Sequence, residues 1–124
     1  MRISLQMPAL IATLCIGGCA TNPGVGSLSS SQRAKMTSMQ LFRSAAPLPY
    51  TILGDVRGLS CYRNFKQDQL FHDDVALEDV RIRAALLDAD AVANVVCQKS
   101  AGADWVNNCW VSIVCVGDAV RYKR

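Results

Sequence analysis

The chain has 124 residues, of which 51% are hydrophobic, and it carries a formal net charge of +3. This length allows one domain and little more. The small net charge and the absence of a basic stripe with interleaved aromatic residues argue against a nucleic-acid-binding protein.

Residues 1–18 have the three-part layout of a secretory signal. Arg2 precedes an apolar run at residues 9–16, and two glycines follow that run. The run is shorter than the roughly 20 residues that span a bilayer. It ends in Ile16-Gly-Gly-Cys19, which fits the bacterial lipobox of a branched apolar residue, two small residues and a cysteine. The sequence therefore predicts a lipoprotein signal peptide at residues 1–18 and lipidation of Cys19.

Cleavage before Cys19 would leave this cysteine as the first residue, with a lipid on its sulfur and usually a third acyl chain on its amine. Three chains exceed the two membrane signals that stable anchoring requires. The next residue is Ala20, whereas an Asp at this position tends to retain a lipoprotein in the inner membrane. We therefore expect attachment to outer-membrane lipid, with the domain in the periplasm.

Residues 19–49 are predicted to be the lipidated N-terminus followed by a flexible linker. Proline, glycine and serine recur through this stretch, and such a composition does not bury enough apolar surface to offset the cost of ordering the backbone. Apolar side chains at residues 36–42 are unusual for a simple tether. They either dock a partner or fold back onto the domain, and the sequence leaves both possibilities open.

Residues 50–124 are predicted to form the folded domain. The helix at residues 75–87 places Leu77, Val80, Ala84 and Leu87 on one face, and the acidic pair at 73–74 suits its start. In chain order, the predicted elements are a strand at 50–56, a loop at 61–72, the helix, a strand at 91–96, a turn region at 100–108, a strand at 110–116, a turn at 117–118 and a short strand at 119–122. This order predicts a small α+β domain, with one main helix packed on a mixed or antiparallel sheet.

Four cysteines remain for this domain once Cys15 has left with the leader and Cys19 is acylated. They are Cys61, Cys97, Cys109 and Cys115. An even number of cysteines in an exported chain predicts disulfides, and a domain of about 75 residues benefits from them because its core is small. None of the spacings brings two cysteines together as C-x-x-C, which argues against a zinc site and against a thiol oxidoreductase.

The strand predicted between Cys109 and Cys115 would hold these two residues about 20 Å apart, beyond the reach of a disulfide. Two arrangements then remain open. One pairs Cys61 with Cys109 and Cys97 with Cys115, and the other pairs Cys61 with Cys115 and Cys97 with Cys109. The spacing alone does not decide between them.

The remaining polar residues do not suggest an enzyme. His72 is the only histidine, and we interpret it as an exposed loop residue. The carboxylates at residues 73, 74, 78 and 79 fit a solvated helix start, and the chain has neither a Ser-His-Asp set nor a glycine-rich phosphate loop. Trp105 and Trp110 are interpreted as packing beside the disulfides, with a contact patch as the alternative. We expect no catalytic residue, metal, cofactor or small-molecule substrate.

Three motifs in order resemble the RcsF family, outer-membrane lipoproteins that sense envelope stress. Residues 52–61, ILGDVRGLSC, are similar to the family segment LG.V.G.SC. The stretch DADAV at residues 88–92, followed by Cys97, resembles the strand entry of the family, in which residue 88 tends to be Gly. Cys109-Trp and VCVGDA at residues 114–119 resemble its closing cysteine pair. The lipobox and the spacer occur in the same order.

This resemblance implies a fold, a cysteine pairing and a function. The family pairs its first cysteine with its third and its second with its fourth, which implies Cys61–Cys109 and Cys97–Cys115. It also implies contacts with the outer-membrane assembly machinery and β-barrel proteins, and signalling to an inner-membrane regulator of the Rcs phosphorelay. An alternative is a structural or assembly-associated lipoprotein that uses the same domain as a binding module without signalling.

Overall fold

The computed structural model describes residues 24–62, 73–100 and 102–124. The predicted lipidation site Cys19, the signal peptide and His72 lie outside the described residues. A 3₁₀ turn at Val25–Ser27 precedes the main elements. These are α1 (Ser30–Ser38), β1 (Gln40–Leu41), β2 (Tyr50–Tyr62), α2 (Asp74–Leu86), β3 (Ala91–Ser100) and β4 (Val111–Tyr122).

The strands form one mixed sheet in the order β1-β3-β4-β2. The two outer pairs differ in direction, because β1 runs parallel to β3 whereas β4 is antiparallel to both of its neighbours. Helix α2 packs on the sheet, mainly against β2. The predicted α+β class, with one main helix on a mixed sheet, is confirmed.

Helix α2 lies close to β2 because small residues meet at the contact. Ala76, Ala84 and Val80 are fully buried, and a Cβ atom at Gly58 of β2 would overlap the carbonyl oxygen of Ala76. Glycine is therefore required at position 58 for this approach of helix and strand. Of the predicted helix face, Leu77 packs against the core, whereas Leu87 follows the last helical residue and is 41% exposed.

The end of α2 is closed by a residue in the left-handed region. Asp88 has φ 57°, its amide donates to the Ala85 carbonyl, and the amide of Ala89 donates to the Ala84 carbonyl. This is the hydrogen-bond pattern of a Schellman motif, in which Gly is the usual residue because it has no Cβ penalty. At the other end, the side chain of Asp73 forms no capping hydrogen bond, so the predicted N-cap interaction is absent.

The last strand differs from the prediction. The predicted turn at 117–118 and the separate strand at 119–122 are wrong, because β4 is continuous from Val111 to Tyr122. Gly117 lies inside this strand, and a Cβ atom there would come within 2.6 Å of Val92 Cγ1 on β3. The glycine thus allows close packing between neighbouring strands and does not mark a turn. Strands β2 and β3 also extend beyond their predicted ends.

The described part of the predicted flexible linker is folded onto the domain, which corrects that prediction. Ser29 and Gln32 form a capping box at the start of α1, so Ser29 caps a helix and does not belong to a flexible linker. Leu28 and Met39, on either side of α1, are 3% and 5% exposed and belong to the same buried cluster as Val80. The apolar residues at 36–42 therefore fold back onto the domain. The segment is folded because Leu28 and Met39 are buried, and the average composition of the stretch does not reveal this burial.

Strand β2 forms one outer edge of the sheet, since β4 is its only partner among the described residues. Its register shifts between Ile52 and Gly54. Further along the same edge, the carboxylate of Asp79 on α2 accepts a hydrogen bond from the backbone amide of Leu59 at 3.1 Å. Helix α2 therefore satisfies a strand donor that β4 does not reach.

Candidate interaction surface

Two disulfides fasten the strands together. Cys61 is bonded to Cys109 and Cys97 to Cys115, with Cα–Cα distances of 5.3 and 4.0 Å. Cys97 and Cys115 are direct cross-strand partners, which excludes the alternative arrangement left open by the spacing. The pairing is the one that the family resemblance implied. In the chain-entropy model, closing loops of 48 and 18 residues stabilises the domain by about 4 and about 3 kcal/mol.

The first disulfide holds the loop between β3 and β4, which carries the most exposed apolar side chains. Trp105 is 80% exposed and Val106 is 94% exposed. Trp105 contacts Trp110 edge to face, with ring centroids 6.1 Å apart, and Trp110 is itself 46% exposed. The interpretation of both tryptophans as packed side chains is therefore wrong for Trp105. The sequence gives no direct signal for this exposure, because tryptophan is on average a highly buried residue.

Asp104 fixes the shape of this loop. Its carboxylate accepts hydrogen bonds from the backbone amides of Val106 and Asn107 and from the side-chain amide of Asn107, at 2.7–3.1 Å. Its backbone exchanges two hydrogen bonds with Cys109, at 2.7 and 2.8 Å. The side-chain and backbone hydrogen bonds of Asn107 hold the pKa of Asp104 below its usual value, with a smaller contribution from the positive charge of Arg57. Asp104 is thus ionised at neutral pH.

A cavity of about 240 Å³ lies beside this loop. Its lining residues are Arg57, Leu59, Asp79, Arg83 and Asn107. Two arginines and one carboxylate give it a polar and partly cationic character. Arg83 donates through Nε to Asp79 at 3.1 Å, whereas the side chain of Arg57 is exposed.

A second cavity, of about 250 Å³, lies beside the second disulfide. Its lining residues are Leu41, Arg43, Leu77, Arg81, Val95 and Cys97. It lies next to Val95 and Cys97 of β3. In the described structure, β1 pairs with Ala91 and Val92 at the start of β3 and does not extend to these residues. Arg81 donates through Nε to the carbonyl of Met39 at 3.4 Å, so one of its two arginines also helps to hold the N-terminal segment.

At the opposite end of the sheet, Asp90 joins three elements. Its carboxylate accepts hydrogen bonds from Lys35 on α1 at 3.2 Å and from the backbone amide of Tyr122 at 2.9 Å. Partial burial of Asp90 opposes its ionisation. The two hydrogen bonds and the charges of Lys35 and Arg124 outweigh this effect and hold its pKa below the usual value.

The described residues contain no group of three or more His, Cys, Asp or Glu side chains that could hold a metal ion. Asp73, Asp74 and Glu78 lie on or next to the first turns of α2, where the sequence placed them. None of the helices in the described ranges is long and apolar enough to cross a membrane.

No family model matches the chain, and neither does any curated protein. Among solved structures, the fold is similar to the crystal structure of a protein of unknown function of the DUF74 family from Pediococcus pentosaceus. The TM-score is 0.54 at 20% sequence identity, and the match covers 69% of this chain and 99% of that chain. At this identity the likeness shows the α+β fold alone.

Proposed function

We propose that the protein is an envelope lipoprotein that is held in the outer membrane by acylated Cys19 and senses envelope stress. Its output is contact with other proteins, and through them signalling to the Rcs phosphorelay. The observation that carries this proposal is the pairing of Cys61 with Cys109 and of Cys97 with Cys115. Four cysteines allow three connectivities, and this one is the pairing that the family resemblance implied.

The backbone at Asp88 adds support. The family tends to have glycine at this position, and Asp88 adopts φ 57°, where glycine is the favoured residue. The single departure noted within the DADAV motif thus keeps the conformation that glycine would provide. Asp is among the residues that tolerate this region best, because its short polar side chain forms local hydrogen bonds.

The folded N-terminal segment limits how far the domain extends from its anchor. Only residues 19–23 separate the proposed lipid from Gly24, where the described structure begins, and five residues span at most about 18 Å. This short reach favours a second candidate function, in which the domain acts as a binding module for assembly factors or β-barrel proteins at the outer membrane, without a signal to the inner membrane.

Intact mass of the mature protein tests the anchor. We expect cleavage before Cys19, acylation of this residue and two disulfides in the native protein. The variant Cys19→Ala should retain the leader or lose the lipid, whereas the matched control Cys15→Ala should mature to the same mass as the wild type, because residue 15 leaves with the leader. A wild-type chain that still begins at Met1 would contradict the proposal.

A transcriptional reporter separates the two candidate functions. In a strain that lacks the gene, we expect the Rcs response to outer-membrane damage to fall at least tenfold and to return with the wild-type gene. A response that persists without the gene, or a genome without the phosphorelay, would exclude the signalling role. In that case, a crosslink to an assembly factor without transcriptional output would favour the binding module.

A further inference from the structure

We propose that the tip of the β3–β4 loop, Trp105 and Val106, docks into a protein partner whose cleft is apolar at its base and acidic at its rim. These two side chains are adjacent, and they are 80% and 94% exposed. Single exposed apolar residues are normal on protein surfaces, but here a tryptophan and a valine project together beside a half-exposed Trp110. Tryptophan is also among the residues most enriched at the energetic centres of protein interfaces.

The loop is held in one shape before any partner binds. The carboxylate of Asp104 accepts three hydrogen bonds within the loop, and its backbone pairs with Cys109, which is bonded to Cys61. The amide of Trp110 donates to the carbonyl of Tyr62 on β2 at 2.8 Å, which ties the loop to the sheet. Such pre-ordering lowers the entropic cost of binding, so the tip can contribute strongly to affinity.

The charges beside the tip indicate the rim of the partner. The cavity beside the tip is lined by Arg57 and Arg83, together with Asn107 of the loop. Arg83 is paired with Asp79. Asp104 keeps its negative charge, because its three hydrogen-bond donors are neutral amides. Of the two arginines, Arg57 is exposed and outside the ion pair, so its guanidinium is the cation best placed to meet a carboxylate of the partner.

The position of the anchor favours a protein over a lipid surface, and this step rests on the proposed acylation of Cys19. The N-terminal segment attaches at the start of β3, where β1 pairs with Ala91 and Lys35 contacts Asp90. The tip follows the other end of the same strand, whose ten residues extend over about 30 Å. Helix α1, the first α-helix after the proposed anchor, therefore lies at the end of the sheet away from the tip.

Photo-crosslinking in intact cells tests this inference. A photoreactive amino acid replaces Val106 in the full-length gene, and the matched control carries it at Leu48, an exposed apolar residue next to β2 at the end of the sheet away from the tip. We expect one protein adduct from position 106 and none from position 48. The crosslinked peptide should lie in an apolar cleft that has Asp or Glu at its rim. Adducts to lipid, to a second copy of this chain or equally from both positions, or no adduct, would overturn the inference.

The identified partner is then purified for binding measurements. Trp105→Ala should weaken its binding at least about 30-fold, as truncation of a hot-spot tryptophan does. Val106→Asp should also weaken binding and cannot disturb the core, because its side chain is 94% exposed. Arg57→Glu should slow association, most strongly at low salt. Unchanged affinity in Trp105→Ala and Val106→Asp would refute the proposal, and Leu48→Ala serves as the neutral control.

Intact mass on the same cells separates this inference from the proposed function. A crosslink from position 106 to a protein, in a chain without a lipid on Cys19, would refute the anchor and leave the docking surface standing. An acylated chain without that crosslink would refute the docking surface and leave the proposed anchor standing.

Discussion

Substitution of Met39 by alanine tests whether the N-terminal segment belongs to the folded domain. Met39 directly follows α1, is 5% exposed and lies in the same buried cluster as Leu28 and Val80. Its truncation removes three heavy atoms from a packed environment. A residue of a free tether would lose nothing on the same change.

The expected loss of stability is about 3 kcal/mol. Removing the buried side-chain atoms costs about 2 kcal/mol in transfer free energy. The cavity that remains adds about 1 kcal/mol, which places the sum within the range measured for Met→Ala in protein cores. With an m-value of about 1.5 kcal/mol/M in urea, the midpoint of unfolding should fall by about 2 M.

Urea unfolding of the oxidised chain from residue 20 onward measures this loss. The matched control is Thr37→Ala, an exposed position in α1 two residues before Met39, which should change the free energy of unfolding by less than about 0.5 kcal/mol. If Met39→Ala changes stability as little as the control does, the segment is not part of the cooperative unit and the reasoning fails.

Three further predictions follow from the packing, the charges and the crosslinks. Gly58→Ala should destabilise the domain by at least about 2 kcal/mol in urea unfolding because its Cβ would enter the backbone of α2, whereas Gly26→Ala, which has open space around it, should be neutral. Asp90→Asn should cost less than about 1 kcal/mol at pH 7. Because the pKa of Asp90 is lowered on folding, this difference should be constant above about pH 4 and vanish as the pH falls through the folded-state pKa, and a difference that persists in acid would contradict this. Replacing Cys97 and Cys115 together by serine should lower stability by about 3 kcal/mol, and an unchanged urea midpoint would contradict that estimate.

The sequence is a good guide to the elements whose residues repeat with a clear period. The face of α2 that contains Val80 and Ala84 is buried as expected. The apolar run that begins at Ala91 forms β3, one of the two inner strands of the sheet. These predictions succeed because burial of one face is a local property of the sequence. Gly117 shows the limit, since its neighbours on β3 are more than 20 residues away and only the folded sheet reveals why a glycine stands there.

The candidate surface was harder to predict than the fold. The cysteine spacing left two pairings open, and the strand register decides between them by placing Cys97 opposite Cys115. Trp105 is exposed in a loop whose shape is fixed by the hydrogen bonds of Asp104. Neither feature has a period or a composition that a reader of the sequence could recognise. Ser29 misleads in the same way: it fits a polar linker by composition, but it caps α1, a helix whose flanking residues Leu28 and Met39 are buried.

The outer edge of β2 has a consequence for the proposed attachment of this protein to a membrane. A long unpaired strand is a template for edge-to-edge aggregation, and anchoring raises the local concentration at which such contacts form. The register shift between Ile52 and Gly54 breaks the regular ladder that an incoming strand would need. The carboxylate of Asp79 occupies the amide of Leu59, and a newcomer would meet that negative charge at the same place. The edge of β2 is therefore protected against pairing with the sheet of a second copy, and the proposed lipid anchor, which would concentrate copies in one plane, would make this protection important.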